Sequence, residues 1–445
     1  MTQPTVTDTP ATPAKRRAAI RSLQSGTIGA IVEWYEYTVY GTTAALVFGS
    51  LFFPQFEAGI AQIAALATFG VGFLARPVGA FVAGHLGDRI GRKSTLILTF
   101  TVMTVATALI GLLPTYAQIG MAAPILLCVL RLAQGFAVGG EWGGAAIIAV
   151  ENAPPGRRGF FGSWPQIGVS SGLLLGSAAI ALSVALSGDD FAVWGWRVPF
   201  LLSIPLAAVG FFIRLRASES PAFLEEKARQ EAAKEEQKAP LVVLLRDHRR
   251  PLLIAIFARF AEAGNYYIFT TFVLSYITTQ LGISRGVGLL ASILGAAANV
   301  AMIPVYGRLS DAIGRSRTFL LGGACIIVTA TPIFMLIQTG RTWAIVVGIM
   351  LFMGLGHGLV YAPLPAMYCE LFPTSVRYSG ISVGYQTAAI LLSSFTPALA
   401  TALIVWSGGA LWPIIVFAIA TTAVAMVAVS FAPDRRSVAL DQIRG

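Results

Sequence analysis

The chain has 445 residues, of which 56% are hydrophobic and only 12% are charged, and its mean hydropathy is +0.74. Soluble domains usually carry about 25% charged residues, so this composition excludes an ordinary soluble protein and indicates a membrane protein. The formal net charge of +10 raises the question of a nucleic-acid partner, which the positions of the basic residues decide.

Apolar segments long enough to cross a membrane recur along nearly the whole chain. A run of about 20 apolar residues spans a hydrocarbon core of about 30 Å, and a run without alternating polarity satisfies its backbone in lipid only as an α-helix. We therefore predict an all-α membrane protein with twelve transmembrane helices, at residues 25–53, 60–85, 95–113, 122–149, 160–186, 196–215, 251–281, 287–307, 318–338, 342–369, 379–406 and 411–432.

The basic residues are distributed unevenly between the loops that join these segments. With the N-terminus placed inside, most of the 31 Lys and Arg residues lie in segments on the inner side. The outer loops hold only Arg197, Arg285 and Arg341. This asymmetry follows the positive-inside rule, which predicts that both termini are cytoplasmic. The excess charge therefore reflects topology, and we expect no nucleic-acid partner.

Residues that bind metals or act as nucleophiles are few. Cys128, Cys325 and Cys369 are far apart in the sequence, and the three histidines are scattered. Neither residue type has the spacing of a metal site, a disulfide framework or a catalytic set. We therefore expect no metal and no cofactor, and we do not expect an enzyme.

One long polar stretch, residues 216–250, divides the predicted helices six and six. GHLGDRIGRKS from Gly84 is repeated as GRLSDAIGRSR from Gly307, and the acid Glu151 has a counterpart at Glu370. Two related halves in a membrane protein place a pathway at their interface. We predict a tail at 1–24, a first six-helix bundle at 25–215, a linker with a charged helix at 216–250, a second bundle at 251–432 and a short tail at 433–445.

The loop after the second predicted helix carries a specific signature. The pattern G-x-x-x-D-R-x-G-R-[RK] is matched in full by Gly84, Asp88, Arg89, Gly91, Arg92 and Lys93. Five further segments contain distinctive motifs: EWYEYTVYG, RLAQGFAVGGEWGGAA, WGWRVPF, ESPAF and ELFPTSVRYSGISVGYQ. On these residues the chain resembles the major facilitator superfamily, and within it the metabolite:proton symporters. The resemblance implies two pseudo-symmetric six-helix bundles that work by alternating access.

The two copies of the loop signature contain charges suited to a gate. Asp88 and Arg92 lie four residues apart in a glycine-bounded turn, where they can latch the inner end of the pathway. The resemblance implies that Arg92 pairs with an acid that ends helix four, which is Glu151 here. In the second copy Ala312 and Ser316 replace two basic positions, which predicts a weaker latch. The expected gating residues are Asp88, Arg89, Arg92, Glu151, Asp311, Arg315, Glu370 and Arg377. The alternative is that these charges only fix the topology.

Seven ionisable residues are predicted inside the membrane, where an unpaired charge costs at least about 2.5–3.5 kcal/mol. The spacing of Glu33, Glu36 and Tyr40 places them on one face of the first helix, and the same spacing recurs within 259–266. A proton symporter needs a carboxylate whose protonation changes with its surroundings, and a substrate anion that competes for a neighbouring arginine would release such an acid. We expect proton coupling at Glu33, Glu36, Glu141 and Glu262.

Several of these assignments have alternatives. Glu36 and Glu262 can instead form a symmetric pair of ion-paired helix contacts, and Glu141 serves either as a proton relay or as a packing partner. For Glu33 and Glu36, which lie close enough to titrate as a coupled pair, the expected charge partner is Arg131 or Arg76.

The substrate contacts are expected on the same helices. Arg76, Arg131 and Arg259 are suited to a substrate anion, because a guanidinium holds a carboxylate with two parallel hydrogen bonds. Aromatic rings and amides are expected to line the cavity, with simple packing as the alternative for each of them: Tyr37, Tyr40, Trp164, Tyr266, Tyr361, Tyr385, Gln134, Gln166 and Gln386.

The resemblance further implies the import of a small organic metabolite together with protons, by a monomer in the lipid bilayer of a bacterial inner membrane. With three arginines in the membrane, we expect a carboxylate such as shikimate, a dicarboxylate or an aromatic acid. A zwitterion symporter of the proline/betaine type and a drug/proton antiporter remain as alternatives, although an antiporter usually has a more apolar cavity.

Overall fold

The computed structural model describes residues 13–90, 92–139, 141–154, 156–216, 240–374 and 376–443. Within these ranges the side chains of 13–26, 81, 83–94, 96, 141, 213–216, 240–242 and 441 lie outside the description. The described part is helical and contains no strand. Ten of its helices are long and apolar enough to cross a membrane. The first and third helices complete the predicted set of twelve.

The first half of the chain forms six long helices. The first, α1, is Pro13–Thr43, and it continues through a π-helical turn at Ala44–Phe48 into Gly49–Phe52. The others are α2 (Ala58–Ile90), α3 (Arg92–Leu112), α4 (Ala122–Val138 followed by Glu141–Glu151), α5 (Arg158–Ser187) and α6 (Ser203–Arg216).

The second half repeats this arrangement. Its helices are α7 (Arg249–Thr279), α8 (Arg285–Ile313), α9 (Arg315–Gln338), α10 (Thr342–Leu371), α11 (Arg377–Trp406) and α12 (Trp412–Ser430). A π-helical turn interrupts α7 at Ile268–Phe272, soon after Tyr266, as the turn in α1 follows Tyr40. Such turns often mark functional sites in helices, since they redirect the side chains on either side.

Glycines allow the two halves to approach each other closely. A Cβ atom placed on Gly159 of α5 would lie 2.5 Å from the carbonyl oxygen of Gly307 in α8. A Cβ placed on Gly70 of α2 would lie 2.3 Å from the carbonyl oxygen of Ser394 in α11. Small residues at helix crossings bring backbones together where lipid supplies no hydrophobic driving force. The interface between the halves therefore runs along α5–α8 and α2–α11.

The halves meet near both membrane faces. We call the motif face the one where Gly314, at a φ of 106°, turns the chain from α8 into α9; a positive φ of this kind favours glycine. At this face Arg377 of α11 pairs with Glu151 of α4 at 2.8 Å. At the opposite face the Arg285 guanidinium lies 5.5 Å from the Phe191 ring. The two halves are therefore in contact near both faces.

The twelve predicted segments agree with these helices to within a few residues at most ends. The charged helix predicted in the linker falls mainly on residues 217–239, outside the described residues, and the described chain resumes with a short helix at Pro240–Asp247. The domain boundaries given above remain predictions.

Candidate functional site

A chain of hydrogen bonds connects three helices of the first half. Arg131 of α4 donates from Nη1 to Gln134 Oε1 at 2.8 Å. Gln134 Nε2 then donates to the hydroxyl of Thr107 in α3 at 2.6 Å. That hydroxyl is hydrogen-bonded to Glu36 of α1 and also lies 2.9 Å from the Met103 carbonyl oxygen. Glu36 is thus connected to a buried arginine through an amide and a hydroxyl.

The second acid of α1 has an arginine of its own. Glu33 Oε1 lies 4.0 Å from Nη2 of Arg76 in α2, and Arg76 Nε donates to the Tyr37 hydroxyl at 3.3 Å. The guanidinium also stands over the Phe73 ring, 4.2 Å from its centroid. Among the described residues, Arg76 Nη2 has no hydrogen-bond acceptor. This arginine is therefore oriented by aromatic rings, and part of its donor set is available.

Tyr40, the third residue of this helix face, is fully engaged. Its hydroxyl lies 2.6 Å from the Thr68 hydroxyl, which itself bonds the Ala65 carbonyl oxygen at 2.6 Å. The Arg131 guanidinium lies 3.9 Å from the Tyr40 ring centroid, a cation–π distance. Tyr40 thus positions Arg131 through its ring and is held in place through its hydroxyl.

The second half uses the same spacing in a different way. Arg259 and Glu262, both on α7, form an ion pair at 2.9 Å, and each side chain is 1% exposed. Arg259 Nη1 donates to the Tyr385 carbonyl oxygen at 2.7 Å, and the guanidinium lies 3.3 Å from the Tyr385 ring centroid. The charge of Arg259 is therefore neutralised on its own helix.

Polar and aromatic side chains also form contacts between the two halves. Gln166 of α5 accepts a hydrogen bond from Trp142 Nε1 at 3.0 Å and donates to the Tyr361 carbonyl oxygen at 3.2 Å. The Trp142 ring stacks on Tyr385 at 3.8 Å, and Gln386 Nε2 donates to the Gly139 carbonyl oxygen at 3.2 Å. These contacts join α4 and α5 to α10 and α11.

A small internal cavity lies between the two helix faces. It is lined by residues of both halves: Trp34, Tyr37, Thr38, Thr42, Phe69 and Leu173 from the first, and Tyr266, Tyr267, Thr270 and Thr271 from the second. Four tyrosine hydroxyls of the second half, those of Tyr266, Tyr267, Tyr361 and Tyr385, have no partner among the described residues. Among those residues no group of three His, Cys, Asp or Glu side chains is placed to hold a metal ion.

Charged contacts close the motif face. Asp311 of α8 accepts hydrogen bonds from the backbone nitrogens of Gly159 and Phe160 at 2.7 and 2.9 Å, so a carboxylate of one half caps a helix of the other. Arg315 binds Asp311 at 2.6 Å and Glu370 at 3.1 Å. The charged residues that the second copy of the loop signature retains, Asp311 and Arg315, are therefore both engaged, although its sequence predicts a weaker latch.

Four of the predicted residues cannot be placed in this way. The side chains of Asp88, Arg89, Arg92 and Glu141 lie outside the described residues. Glu151, the acid that the resemblance pairs with Arg92, receives a hydrogen bond from Arg377 in the described part of the chain.

Trp164 is a correction. It was expected in the cavity, but 40% of it is exposed, and its ring contacts Phe160 on the side of α5 at a centroid distance of 6.3 Å. Residues two positions apart in an α-helix, such as Trp164 and Gln166, are about 200° apart around the helix axis. Because Gln166 points to the other half, Trp164 must point away from it.

The structure adds residues that sequence reasoning passed over. Thr107 carries the connection from Glu36, yet a threonine in an apolar helix usually bonds its own backbone, so nothing in the sequence distinguishes it. Trp142 belongs to the EWGG segment, but a family motif does not indicate that its ring contacts Gln166 and Tyr385. Asn299 is an amide in an apolar helix, which is a usable signal for a buried polar contact.

Comparison with known proteins agrees with this architecture. The family model described as "Major Facilitator Superfamily" matches residues 26–392 and 255–443. The "Shikimate transporter" of Escherichia coli (strain K12) is 42% identical over 395 residues, covering 88% of this chain and 89% of the relative. The "Inner membrane metabolite transport protein YhjE" of the same organism is 40% identical over 385 residues, covering 85% and 86%.

More distant relatives extend the comparison. The "Proline/betaine transporter" of Escherichia coli (strain K12) is 35% identical over 402 residues, covering 88% of this chain and 79% of the relative. Among solved structures, a proton:xylose symporter, XylE, superimposes with a TM-score of 0.73 at 16% identity, covering 96% of this chain and 98% of the other. The last similarity concerns the fold alone. With its fold and these relatives, the chain belongs to the major facilitator superfamily of membrane transporters.

Proposed function

We propose that this transporter imports a small organic carboxylate together with protons, by alternating access across a bacterial inner membrane. The names of the shikimate and inner-membrane relatives support the substrate class and the location. The observation that carries the proposal is the unequal partnering of the two acids of α1, Glu33 beside Arg76 and Glu36 beside Thr107.

The Thr107 hydroxyl serves Glu36 in either protonation state. A hydroxyl has one proton to donate and two lone pairs that accept. It donates to Glu36 when that acid is ionised. When Glu36 is protonated, the acid donates to Thr107, and Thr107 donates to the Met103 carbonyl oxygen at 2.9 Å. Gln134 Nε2 donates to the Thr107 hydroxyl oxygen in both states. Glu36 can therefore gain or lose a proton without leaving the Thr107 hydroxyl unsatisfied.

The environment of Glu33 favours exchange of one anion for another. An arginine has only donors, so it stabilises an ionised acid and gives a protonated one little. The separation of 4.0 Å between Arg76 and Glu33 is long for an ion pair, and a substrate carboxylate that binds Arg76 in two-point fashion would displace Glu33. In this mechanism Arg76 binds the substrate carboxylate, which displaces Glu33 from Arg76. Glu36 carries the proton.

Access to the site would alternate through the motif face. The pairs Arg377–Glu151 and Arg315–Glu370, with Asp311 capping α5, connect the halves or brace their connections at that face. The contacts between the halves, which are Arg377–Glu151 and Asp311 with α5, must break for the pathway to open there. We propose that this face is cytoplasmic, as the positive-inside rule predicts, and that these charges form its gate.

The test is transport by the purified protein in liposomes. A thermal-shift screen with shikimate, succinate, benzoate, proline and glycine betaine first selects a ligand. Uphill uptake of that ligand under an inward proton gradient is then compared with counterflow, which needs no net proton movement. Glu36→Gln should abolish accumulation and keep counterflow, whereas Glu57→Gln, at an exposed position between α1 and α2, should keep both. Accumulation by Glu36→Gln at the wild-type level would overturn the assignment.

A zwitterion is the second candidate for the solute. The cavity is lined by the rings of Trp34, Tyr37, Phe69, Tyr266 and Tyr267, and aromatic rings stabilise quaternary ammonium groups. The name of the proline/betaine relative points in the same direction. Stabilisation by glycine betaine but by none of the plain carboxylates in the screen would select this candidate.

A further inference from the structure

His357 lies in the π-helical turn of α10 and is 1% exposed. Its Nδ1 atom is 2.9 Å from Nδ2 of Asn299 in α8. The same amide nitrogen is hydrogen-bonded to the Met353 carbonyl oxygen. On the other side, Ser170 of α5 donates to Asn299 Oδ1 at 2.7 Å. A serine of the first half therefore orients the amide that orients this histidine.

These contacts determine which nitrogen of the His357 ring carries the proton. The Met353 carbonyl oxygen can only accept, so the NH₂ group of Asn299 must face it. The second hydrogen of that NH₂ group points at His357 Nδ1, and an amide nitrogen does not accept hydrogen bonds. Nδ1 is therefore the acceptor, and the proton of the neutral ring lies on Nε2.

The Nε2–H group has no acceptor among the described residues. The ring stands between Tyr266 and Tyr361, with centroid distances of 5.1 and 4.8 Å. The hydroxyls of both tyrosines also lack a partner in the described part of the chain. Each buried donor left unpaired costs about 1–3 kcal/mol, so three in neighbouring rings call for a ligand that supplies oxygen atoms.

We infer that His357 is a substrate-contact residue, whose Nε2–H donates to an oxygen atom of the transported solute between Tyr266 and Tyr361. The inference rests on the proposed function and deepens it. Because Arg76 in the first half takes the carboxylate, the oxygen at His357 belongs to a different group, such as a hydroxyl. Ser170 of the first half donates to Asn299 Oδ1 and so supports the orientation that the Met353 carbonyl oxygen sets within the second half.

The test measures the KM of counterflow for shikimate and for cyclohexene carboxylate, which lacks the ring hydroxyls. His357→Phe should raise the KM for shikimate about tenfold, the effect of one lost hydrogen bond of about 1.4 kcal/mol, and leave that for cyclohexene carboxylate unchanged. His357→Gln keeps a donor and should stay within about threefold of wild type. Asn299→Leu should raise the KM for shikimate as His357→Phe does, because it removes the amide that donates to Nδ1 and keeps the ring proton on Nε2.

The outcomes separate this inference from the proposed function. An equal rise of KM for both solutes, or a phenylalanine variant with wild-type KM, overturns the role of His357 while leaving carboxylate transport intact. If the screen selects another solute, that solute and its deoxy analogue replace the pair. A selected solute with no oxygen beyond its carboxylate also overturns the inference. Melting temperatures of all variants exclude misfolding as the cause of a change.

A second inference comes from the segment after α12, residues 433–443, which we call the tail strap. Arg158 of the first half donates to the Val438 carbonyl oxygen at 2.7 Å. Arg377 of the second half donates to the Leu440 carbonyl oxygen at 2.8 Å. Ile443 at the end of the strap is only 4% exposed. The strap therefore crosses the boundary between the halves at the motif face.

The strap also supplies a basic residue to the second loop signature. Arg436 Nη1 donates to the Ala312 carbonyl oxygen at 2.8 Å, beside the turn at Gly314. Ala312 is one of the two positions where a basic residue of the signature is missing. We propose that the tail strap completes this copy of the signature and holds the motif face closed, so that its contacts break when the face opens.

Cys369 provides a reporter for this proposal, because it is fully buried and its carbonyl oxygen accepts a hydrogen bond from Arg377 at 3.1 Å. In a background with Cys128→Ser and Cys325→Ser, the rate of maleimide labelling at Cys369 reports opening. Arg436→Ala, and deletion of residues 433–445, should each raise this rate about fivefold or more, as expected for a lost hydrogen bond to a charged group. Arg317→Ala, an exposed arginine on α9, is the charge-matched control. Labelling at the wild-type rate in both strap variants overturns the proposal.

Discussion

The two halves carry ionisable residues at the same spacing but arrange them differently. In the second half, Arg259 and Glu262 pair at 2.9 Å on one helix. In the first half, Glu33 and Glu36 reach their arginines on other helices, one at 4.0 Å and the other through Gln134 and Thr107. A pair contained in one helix survives any movement of that helix, whereas contacts between three helices change when the helices shift.

This difference separates a structural role from a coupling role. A buried ion pair resists proton exchange, because neutralising one of its two charges leaves the other unpaired in a medium of low dielectric constant. An acid whose partners can serve both protonation states can respond to substrate. We therefore propose that proton coupling takes place in the first half and that the ion pair of the second half has a structural role.

The largest expected effect is on stability, in the second half. Arg259→Met leaves Glu262 buried without its partner and should destabilise the protein by about 3–5 kcal/mol. The double variant Arg259→Met, Glu262→Leu removes both charges and should recover most of this loss. Unfolding by denaturant in detergent measures both. A double variant as unstable as the single one would contradict a closed ion pair.

Arg76→Lys should act on binding, in the first half. Lysine keeps the charge but lacks the planar pair of donors and stacks poorly on the Phe73 ring, so the KM for a carboxylate should rise about tenfold. The matched variant Arg259→Lys should change the KM less than about threefold if its role is structural. Counterflow assays of both variants decide, and equal effects in the two halves would remove the distinction between them.

Thr107→Val preserves shape and removes the hydroxyl between Glu36 and Gln134. We expect proton-driven uptake to fall about five- to tenfold, since a buried polar group that loses its partner costs about 1–3 kcal/mol. Thr107→Ser keeps the hydroxyl and serves as the control. Uptake at the wild-type rate in the valine variant would show that the connection from Glu36 to Arg131 carries no coupling.

The smallest effect is expected at Trp164. Because this ring lies on the outer side of α5, Trp164→Leu should change stability by no more than about 0.5 kcal/mol and leave uptake unchanged. Trp142→Leu, which removes the ring stacked on Tyr385, should impair both. A transport defect in the Trp164 variant would return that residue to the cavity.

Much of the fold was predictable because hydrocarbon restricts what a backbone can do. Each long apolar run had to be a helix, and intramembrane charges such as Arg76, Arg131 and Glu36 had to find polar surroundings. Helical periodicity predicts that Glu33, Glu36 and Tyr40 share one face, and in the structure their side chains contact α2 and α3. No local pattern placed Trp164, because an aromatic residue carries no sign of which side of its helix meets lipid.

The helical class, the duplication and the presence of charges inside the membrane can be predicted from the sequence, since composition, repeated motifs and period 3.6 are properties of the chain alone. Which of these charges meet depends on how the helices pack. Thr107, Asn299 and the carbonyl oxygens of the tail strap become partners through contacts between residues far apart in the chain, and hydrogen bonding depends on a few tenths of an ångström that no sequence pattern records. The same spacing of residues could therefore become a closed pair in one half and an open network in the other.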